Sequence, residues 1–295
     1  MDMISVVIPA YKKTAMLVEN LRHNLRSLKG LEIIIVNDDP SKSIAGEMME
    51  FDVTLVENKK NLGFGGAVNV GFAHAKQDYV LLLNSDVRLN NNAWKKALAR
   101  IEQSNYFAIS FAQTEGDGST VGKNTIYWAH GFFLHKKAED MRRGTTAWAE
   151  GGSCIINRKI FDVLGGFDLM YSPFYWEDID LSYRAWKSGY EVLFEPAVLV
   201  EHRHESTIGT YFQKKQIDRI ATRNQFIFMW KNMQGDLLTS HFIRLPLFLI
   251  TTIMNTSTIL GFLSALPYIP AIIRQRRIQQ MLYKRTDREV LEMFK

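Results

Sequence analysis

The run Tyr79-Val-Leu-Leu-Leu83 constrains the fold of this chain more than any other feature. It is five apolar residues long, with no polar residue alternating through it. Such a run suits a strand buried on both faces, as in a parallel sheet covered by helices. It stops abruptly at Asn84-Ser85-Asp86. In open α/β sheets, ligands bind beyond the carboxyl ends of the strands. A carboxylate there suits a hard divalent cation that carries phosphate oxygens. The same three residues also read as an ordinary turn before the next helix.

Similar segments precede it. Ile4–Tyr11 reads as a first buried strand, Glu32–Val36 as a second that ends in Asn37-Asp38-Asp39-Pro40, and Val53–Glu57 as a third. Met16, Leu17, Leu21, Leu25 and Leu28 recur at helical spacing. Asn61-Leu-Gly-Phe-Gly-Gly-Ala-Val-Asn-Val-Gly71 reads as a glycine-rich turn entering a helix. Three strand–helix units before residue 90 predict an α/β chain with a doubly wound, mostly parallel sheet flanked by helices. A helix over 91–103 and a strand over Phe107–Phe111 follow. From Gln113 to Ala149 no period holds, and a loop-rich excursion is expected. Gly151–Asn157 then reads as a strand, Arg158–Leu164 as a short helix, Glu177–Ser188 as a helix closed by Gly189, and Tyr190–Phe194 as a strand.

Several residues could carry chemistry. Asp38 and Asp39 end the second strand, where a carboxylate can accept from a base N–H or a ribose hydroxyl; an Asp-rich turn before Pro40 is the plainer reading. The glycine-rich turn is no dinucleotide fingerprint, because Val68 stands where the last glycine would be. Backbone N–H groups at a helix start still favour phosphate. Trp176-Glu177-Asp178-Ile179-Asp180 follows four aromatics in Tyr171–Trp176. Acidic residues in a first helical turn complement the helix dipole. Aromatic neighbours also desolvate a carboxylate into a general base and offer stacking faces. Asp180 and Arg184, four apart, can pair along the helix. His202 and His204 are a close histidine pair that could complete a metal site with Asp86.

Taken in order and spacing, V-V-I-P-A-Y, I-V-N-D-D-P-S, N-L-G-F-G-G-A-x-N-x-G, Y-V-L-L-L-N-S-D, G-G-F-D and E-D-I-D-L-x-x-R resemble glycosyltransferase family 2, the inverting transferases of GT-A fold. The resemblance runs from Ile4 to about Thr207 and extends to the rhamnosyltransferase-like enzymes of bacterial surface-glycan synthesis. It implies a catalytic domain over 1–207, with a nucleotide-sugar half (1–111) and an acceptor half (112–207), followed by a helical region over 208–295. It implies a metal-dependent transfer of one sugar from a UDP- or dTDP-sugar to a hydroxyl of a glycan or lipid-linked acceptor, with Mn2+ or Mg2+. Pro9, Tyr11, Asp38 or Asp39, Asn61, Gly63, Gly65, Gly66, Asn69, Asn84 and Ser85 would line the nucleotide sugar. Asp86 and His202 would hold the metal, with His204 the alternative. Asp178 would be the base, and Gly152, Trp176 and Glu177 would meet the acceptor. Asn84 stands in place of the first Asp of the family's DxD pattern, which leaves one charge fewer on the metal. The Q-x-x-R-W signature of processive synthases is absent, so a single addition is expected. Two competing readings are a nucleotidyltransferase and a non-catalytic sugar-nucleotide binder. The first needs a basic glycine-rich loop where Pro9-Ala-Tyr11 stands; the second is motivated by Asn84.

Composition sets the remaining bounds. With 295 residues, 46% hydrophobic and 23% charged, the chain is globular. Of the net charge of +5, Arg274–Lys295 holds seven Lys/Arg against three Asp/Glu, or +4. The near-neutral remainder argues against a broad nucleic-acid surface. Cys154 is the only cysteine, which fits a reducing compartment, and a strand starting by Ile4 leaves no room for a signal peptide. The cytoplasmic face of a membrane is therefore the expected location. Leu245–Ile273 runs 29 residues without a charge, where about 20 suffice to span a bilayer. Pro246, Asn255, Pro267 and Pro270 interrupt it, and basic residues follow. Three readings stay open: a segment lying on or dipping into the membrane, a true span, and a buried or oligomer-forming helical hairpin.

Overall fold

In the computed structural model, which describes residues 4–90, 92–116, 118–202 and 207–295, four parallel strands come first. β1 (Ile4–Ala10), β2 (Glu32–Asn37), β3 (Thr54–Glu57) and β4 (Tyr79–Leu83) lie side by side in the order β3-β2-β1-β4. The returns run through α1 (Thr14–Leu28), α2 (Ala45–Met48) and α3 (Gly63–His74). Val80 and Leu82 pack into one core with Val68 and Phe72 of α3. Leu81 and Leu83 pack into the opposite core with Leu17 and Leu21 of α1. β4 lacks polar alternation because neither of its faces meets water.

Past β4 the sheet becomes mixed. After the Asn84–Asp86 turn come β5 (Val87–Leu89), α4 (Trp94–Glu102) and the long β6 (Tyr106–Thr114). The expected loop-rich excursion over 113–149 is instead organised. It contains β7 (Thr120–Val121), the hairpin of β8 (Asn124–Ala129) and β9 (Phe132–Lys137), and β10 (Gly144–Thr145). The hairpin closes through His130-Gly131, both at positive φ (53° and 83°), the geometry of a type I′ turn. His in place of the usual Asn hid that signal, and the short strands were too irregular to show a period. β11 (Ser153–Asn157) then inserts antiparallel between β4 and β6. α5 (Arg158–Leu164) and α6 (Glu177–Lys187) lead to β12 (Glu191–His202), which runs parallel to β6 and antiparallel to β5. The result is a mostly parallel sheet with flanking helices, carrying one reversed central strand.

The C-terminal region is helical: α7 (Thr207–Tyr211), α8 (Lys214–Asn232), α9 (Gly235–Thr251), α10 (Thr256–Ala265), α11 (Ile269–Gln280) and α12 (Asp287–Glu292). The uncharged run is not one helix, because it breaks between α9 and α10, where Asn255 Oδ1 accepts from Thr258 N–H as an N-cap. The helical stretch Thr256–Gln280 is long and apolar enough to cross a membrane by length and composition, with a mean hydropathy of 1.5 and little of it buried. α10 nevertheless lies tight against α8. A Cβ on Gly261 would come within 2.8 Å of the Thr222 side chain.

A buried ionic cluster ties these layers together. Asp180 of α6 is fully buried. Its carboxylate accepts from Tyr171 Oη (2.8 Å), Arg184 Nε (2.8 Å), Lys231 Nζ (2.9 Å) and Asn232 Nδ2 (2.8 Å). The i,i+4 pair with Arg184 is thus part of a larger knot, in which Lys231 also reaches Asp168 (2.7 Å). Although burial opposes the charge, Lys231 and Arg184 hold the Asp180 carboxyl far below the usual range. A second contact, Lys187 to Asp287 at 2.6 Å, anchors α12. Removing one partner of a buried ionic network leaves the others uncompensated. Asp180→Ala is therefore expected to cost about 3–5 kcal/mol in chemical denaturation; a loss near that of a surface substitution would show that the knot is not structural.

Candidate functional site

The Asn84-Ser85-Asp86 turn leaves β4 and is pinned from both sides. Asn84 N–H donates to Gly152 C=O (2.9 Å), and Asn20 Nδ2 of α1 donates to Ser85 C=O (2.9 Å). β5 then pairs with the end of β12, with Val87 opposite His202. That register brings the neighbouring Asp86 to His202, with Nε2 3.3 Å from Asp86 Oδ1. Asp86 Oδ1 is buried and receives no hydrogen bond. The other imidazole nitrogen, Nδ1, lies 2.9 Å from Gln113 Oε1. An acceptor there keeps a proton on Nδ1, so Nε2 is the nitrogen that a cation beside Asp86 would meet. Burial disfavours a charged His202, yet Asp86, Glu115 and Glu150 outweigh it and raise its pKa. The pocket therefore attracts positive charge. An orphaned carboxylate oxygen beside an imidazole in its ligating tautomer fits a divalent cation whose remaining ligands are phosphate oxygens and water. His204 lies outside the described residues.

Asp178 stands in the first turn of α6, which Tyr175 and Trp176 enter at positive φ (71° and 77°). Strained backbone of this kind concentrates at functional sites. Its Oδ1 accepts from Ile179 N–H (2.8 Å). Burial pushes the Asp178 carboxyl up to about 6 and that of Glu177 to about 8, the latter aided by the Asp178 charge. Glu177 Oε2 is buried without a partner. Two consecutive glycines lie between the Asn84–Asp86 turn and Asp178. A Cβ on Gly151 would lie 3.8 Å from Asp178 Cβ, and one on Gly152 would lie 2.7 Å from Asn84 Nδ2. Asp178 and Asn84 thus both approach the Gly151–Gly152 backbone. Any side chain on Gly152 would collide with Asn84, so its role is to admit that close approach.

Other expected site residues are committed elsewhere. Asp38 is buried, and its carboxylate accepts from Leu62 N–H (2.9 Å), Gly63 N–H (2.9 Å) and Asn58 Nδ2 (2.8 Å). It caps α3 from a distance. Asn61 Oδ1 takes the same Gly63 N–H (2.8 Å). Phe64 N–H is directed to Pro173 C=O (3.4 Å). Asp38, Asn61 and Pro173 thus take up N–H groups that the start of α3 would otherwise offer to a phosphate. Its glycines serve packing instead: Cβ atoms would strike Ser172 at Gly63, Phe167 at Gly65 and Leu62 at Gly66. Asn69 uses both ends of its amide on the backbone of Phe167 (2.8 and 2.9 Å). Trp176 is not an open stacking face. It is 6% exposed and packs against Phe133, His135 and Phe228. Among Tyr171–Trp176 the exposed ring is Tyr175.

Asp39 points the other way from Asp38 and accepts from Ser41 N–H (3.0 Å). It lines a narrow recess with Ala10, Lys12, Asn37 and Lys42. The Ser41 hydrogen bond, with smaller help from Lys12 and Lys42, holds its carboxyl below the usual range. Pro9 is a buried residue of β1 opposite Val36, and Tyr11, just after β1, is edge-on to Tyr211 of α7. Lys12, Lys42, Gln113 and Glu150 were missed from sequence. The first two are ordinary surface-type lysines there, and the others acquire meaning only when β6, β11 and β12 assemble.

A family model described as "Glycosyl transferase family 2" matches residues 5–165. The pre-mycofactocin glycosyltransferase of Mycobacterium tuberculosis is 22% identical over 219 residues, covering 72% of this chain and 45% of that protein. The probable glycosyltransferase YdaM of Bacillus subtilis is 26% identical over 248 residues, covering 76% and 56%. The chain spans about half the length of the curated relatives it matches. Among solved structures, GalNAc-T7 with UDP, GalNAc and Mn2+ superposes with a TM-score of 0.63 at 17% identity, over 82% of this chain and 50% of that one. The mannosyltransferase PcManGT from Pyrobaculum calidifontis, in complex with GDP-Man and Mn2+, gives 0.55 at 14% identity, over 95% and 84%. The sheet, with its reversed strand and its strand-end carboxylates, is the GT-A fold. With more than half of its length matched by the family model, the chain belongs to glycosyl transferase family 2.

Proposed function

We propose that this chain transfers one sugar from a nucleotide-sugar donor, a UDP- or dTDP-sugar, to a hydroxyl of a glycan acceptor, inverting the anomeric centre. The carrying observation is that Glu150 lies within electrostatic reach of both Asp178 and His202, the partner of Asp86, while the adjacent Gly151 and Gly152 approach Asp178 and Asn84. In this reading Asp86 and His202 hold Mn2+ or Mg2+. The cation, when bound, supplies positive charge to the departing diphosphate. Asp39, with Lys12 and Lys42, borders the recess for the base. Asp178 removes the proton of the acceptor hydroxyl on the face opposite the nucleotide. Similar structures solved with UDP and Mn2+ or with GDP-Man and Mn2+ support the donor and cation classes.

A lipid-linked acceptor at a membrane surface fits the C-terminal helices. Ile243, Leu247 and Ile250 form an exposed apolar stripe on α9, continued by Ile253 and by Met254, which is 90% exposed. Exposed Arg244, Arg274 and Arg277 accompany it. An apolar face with basic neighbours suits an anionic interface. The helical run Thr256–Gln280 is tied to α8, and through Gln279 Nε2 to Leu164 C=O of α5 (3.3 Å). Arg219 donates to Ser264 Oγ (2.7 Å), and Arg276 donates to the carbonyls of Trp230 and Met233 (2.7 Å each). A spanning helix would lose those partners, so we favour a surface-lying segment.

Four outcomes test this reading once its donor is known. A thermal-shift panel of UDP-, dTDP- and GDP-sugars identifies the donor, and release of nucleoside diphosphate then measures turnover. Asp178→Asn should lower turnover by about 10²–10⁴-fold, with the donor-induced melting shift unchanged. Because the base acts as its carboxylate, kcat/KM should fall as pH drops through about 6 and level off above it. The limb belongs to the coupled carboxyl cluster rather than to one residue. Turnover that does not vary between pH 5 and pH 8 would count against Asp178. Asp86→Asn should weaken Mn2+ activation at least tenfold, measured as the Mn2+ concentration for half-maximal release, and an unchanged requirement would remove Asp86 from the metal. The triple variant Ile243→Glu, Leu247→Glu, Ile250→Glu should abolish flotation with anionic vesicles and leave the melting temperature close to wild type; retained flotation would locate membrane contact elsewhere.

A further inference from the structure

Glu150 stands immediately before the Gly151–Gly152 wall, and its backbone is fixed on both sides. Its N–H donates to Ser110 Oγ (3.2 Å), and its C=O accepts from Ser153 N–H (3.2 Å). In the side chain, Oε1 accepts from Asn124 Nδ2 of the β8 strand (2.6 Å). Asn124 is itself buried, its N–H held by Thr146 Oγ1 (2.9 Å). Oε2 receives no hydrogen bond from the described residues. The charged groups that face Glu150 are Asp178 from α6, His202 from the end of β12 and Glu115 beyond the end of β6. Burial, then the Asp178 charge, pushes the Glu150 carboxyl up to about 7. Across the cleft, the buried Glu177 Oε2 is likewise without a partner.

Among the described residues no three His, Cys, Asp or Glu are grouped to hold an ion, and Glu150 is taken up by Asn124 through one oxygen. What the cleft lacks is hydrogen-bond donors. One carboxylate is clamped by a single oxygen beside a second carboxylate that acts as base, and neutral hydroxyl donors satisfy both without bringing further charge. We infer that Glu150 is an acceptor-binding residue: it takes a hydrogen bond from the hydroxyl adjacent to the one that Asp178 deprotonates, so the acceptor is a sugar or polyol that presents a vicinal diol. This rests on the transfer reaction proposed above.

The test compares wild type with Glu150→Gln, using the donor found in the thermal-shift panel, Mn2+, and octyl glycosides of common hexoses with their monodeoxy derivatives as probe acceptors. Glutamine keeps the Asn124 contact through its carbonyl and loses the second acceptor oxygen. The variant should show KM for the intact glycoside raised about tenfold, the loss of one hydrogen bond to a charged group, with the donor-induced melting shift unchanged. The wild type should lose a similar factor on the probe lacking the neighbouring hydroxyl, and the variant should lose nothing more. If Glu150→Gln fails to fold, Asn124→Ala removes the clamp on Oε1, a contact that lowers the Glu150 pKa, and should raise the same KM about threefold. A wild-type KM in the folded variant, a full deoxy penalty retained in it, or no stimulation of release by any diol-bearing probe overturns the inference and leaves donor transfer standing. A wild-type protein that shows no donor-induced shift overturns both.

Discussion

The position of the candidate base, Asp178, depends on one buried carboxylate, Asp180. It sits two residues after Asp178 on α6 and gathers Arg184 from its own helix, Tyr171 from the preceding loop, and Lys231 and Asn232 from α8. A helix whose first turn holds Glu177 and Asp178 with pKa values pushed upward is electrostatically unfavourable in isolation. The neighbouring pair of cations offsets that cost inside the same helix turn. It fixes the helix start to within the precision that a general base requires. The acidic first turn is thus divided in labour: Asp180 is held ionised by its partners, while Asp178 and Glu177 are left in poorly solvated surroundings.

The opposite side of the cleft follows the complementary rule. Asp86 and His202 face one another without a good hydrogen bond, and Gln113 sets the imidazole tautomer. A charged site left under-satisfied in the free protein is ready for a ligand, because binding then costs no competing internal contact. The replacement of an Asp by Asn84 does not disturb this arrangement. Asn84 instead fills the space over Gly152, and its backbone ties the turn to β11.

What the sequence made legible was set by locality. The apolar run of β4, the carboxylates at its tip and the acidic start of α6 are contiguous in the chain, so period and spacing exposed them. The partnership of Asp86 with His202 depends on β5 pairing with β12, and only the resemblance to a known family put the two together beforehand. The glycine-rich segment misled for a physical reason. Glycine signals close approach of the backbone to something, and here that something is the 167–173 loop rather than a phosphate. Asp38 and Asn69 misled in the same way: strand-tip and helix-start polar residues are equally suited to ligands and to the orphan N–H and C=O groups of their own chain. Nothing local distinguishes Glu150 from a solvated loop residue, because its partners Asn124, Ser110 and Asp178 come from three other elements.

The seam between α8 and α10 has one further geometric consequence. Gly261 lets the two helices touch, and α8 is in turn locked to α6 through Lys231. Packing and ion-pair contacts therefore run without a break from α10 through α8 to the helix that carries Asp178. If the α9 stripe rests on lipid, the altitude of the cleft above the bilayer is a constant of the fold, and the protein acts as a ruler for the length of the stem that carries its acceptor.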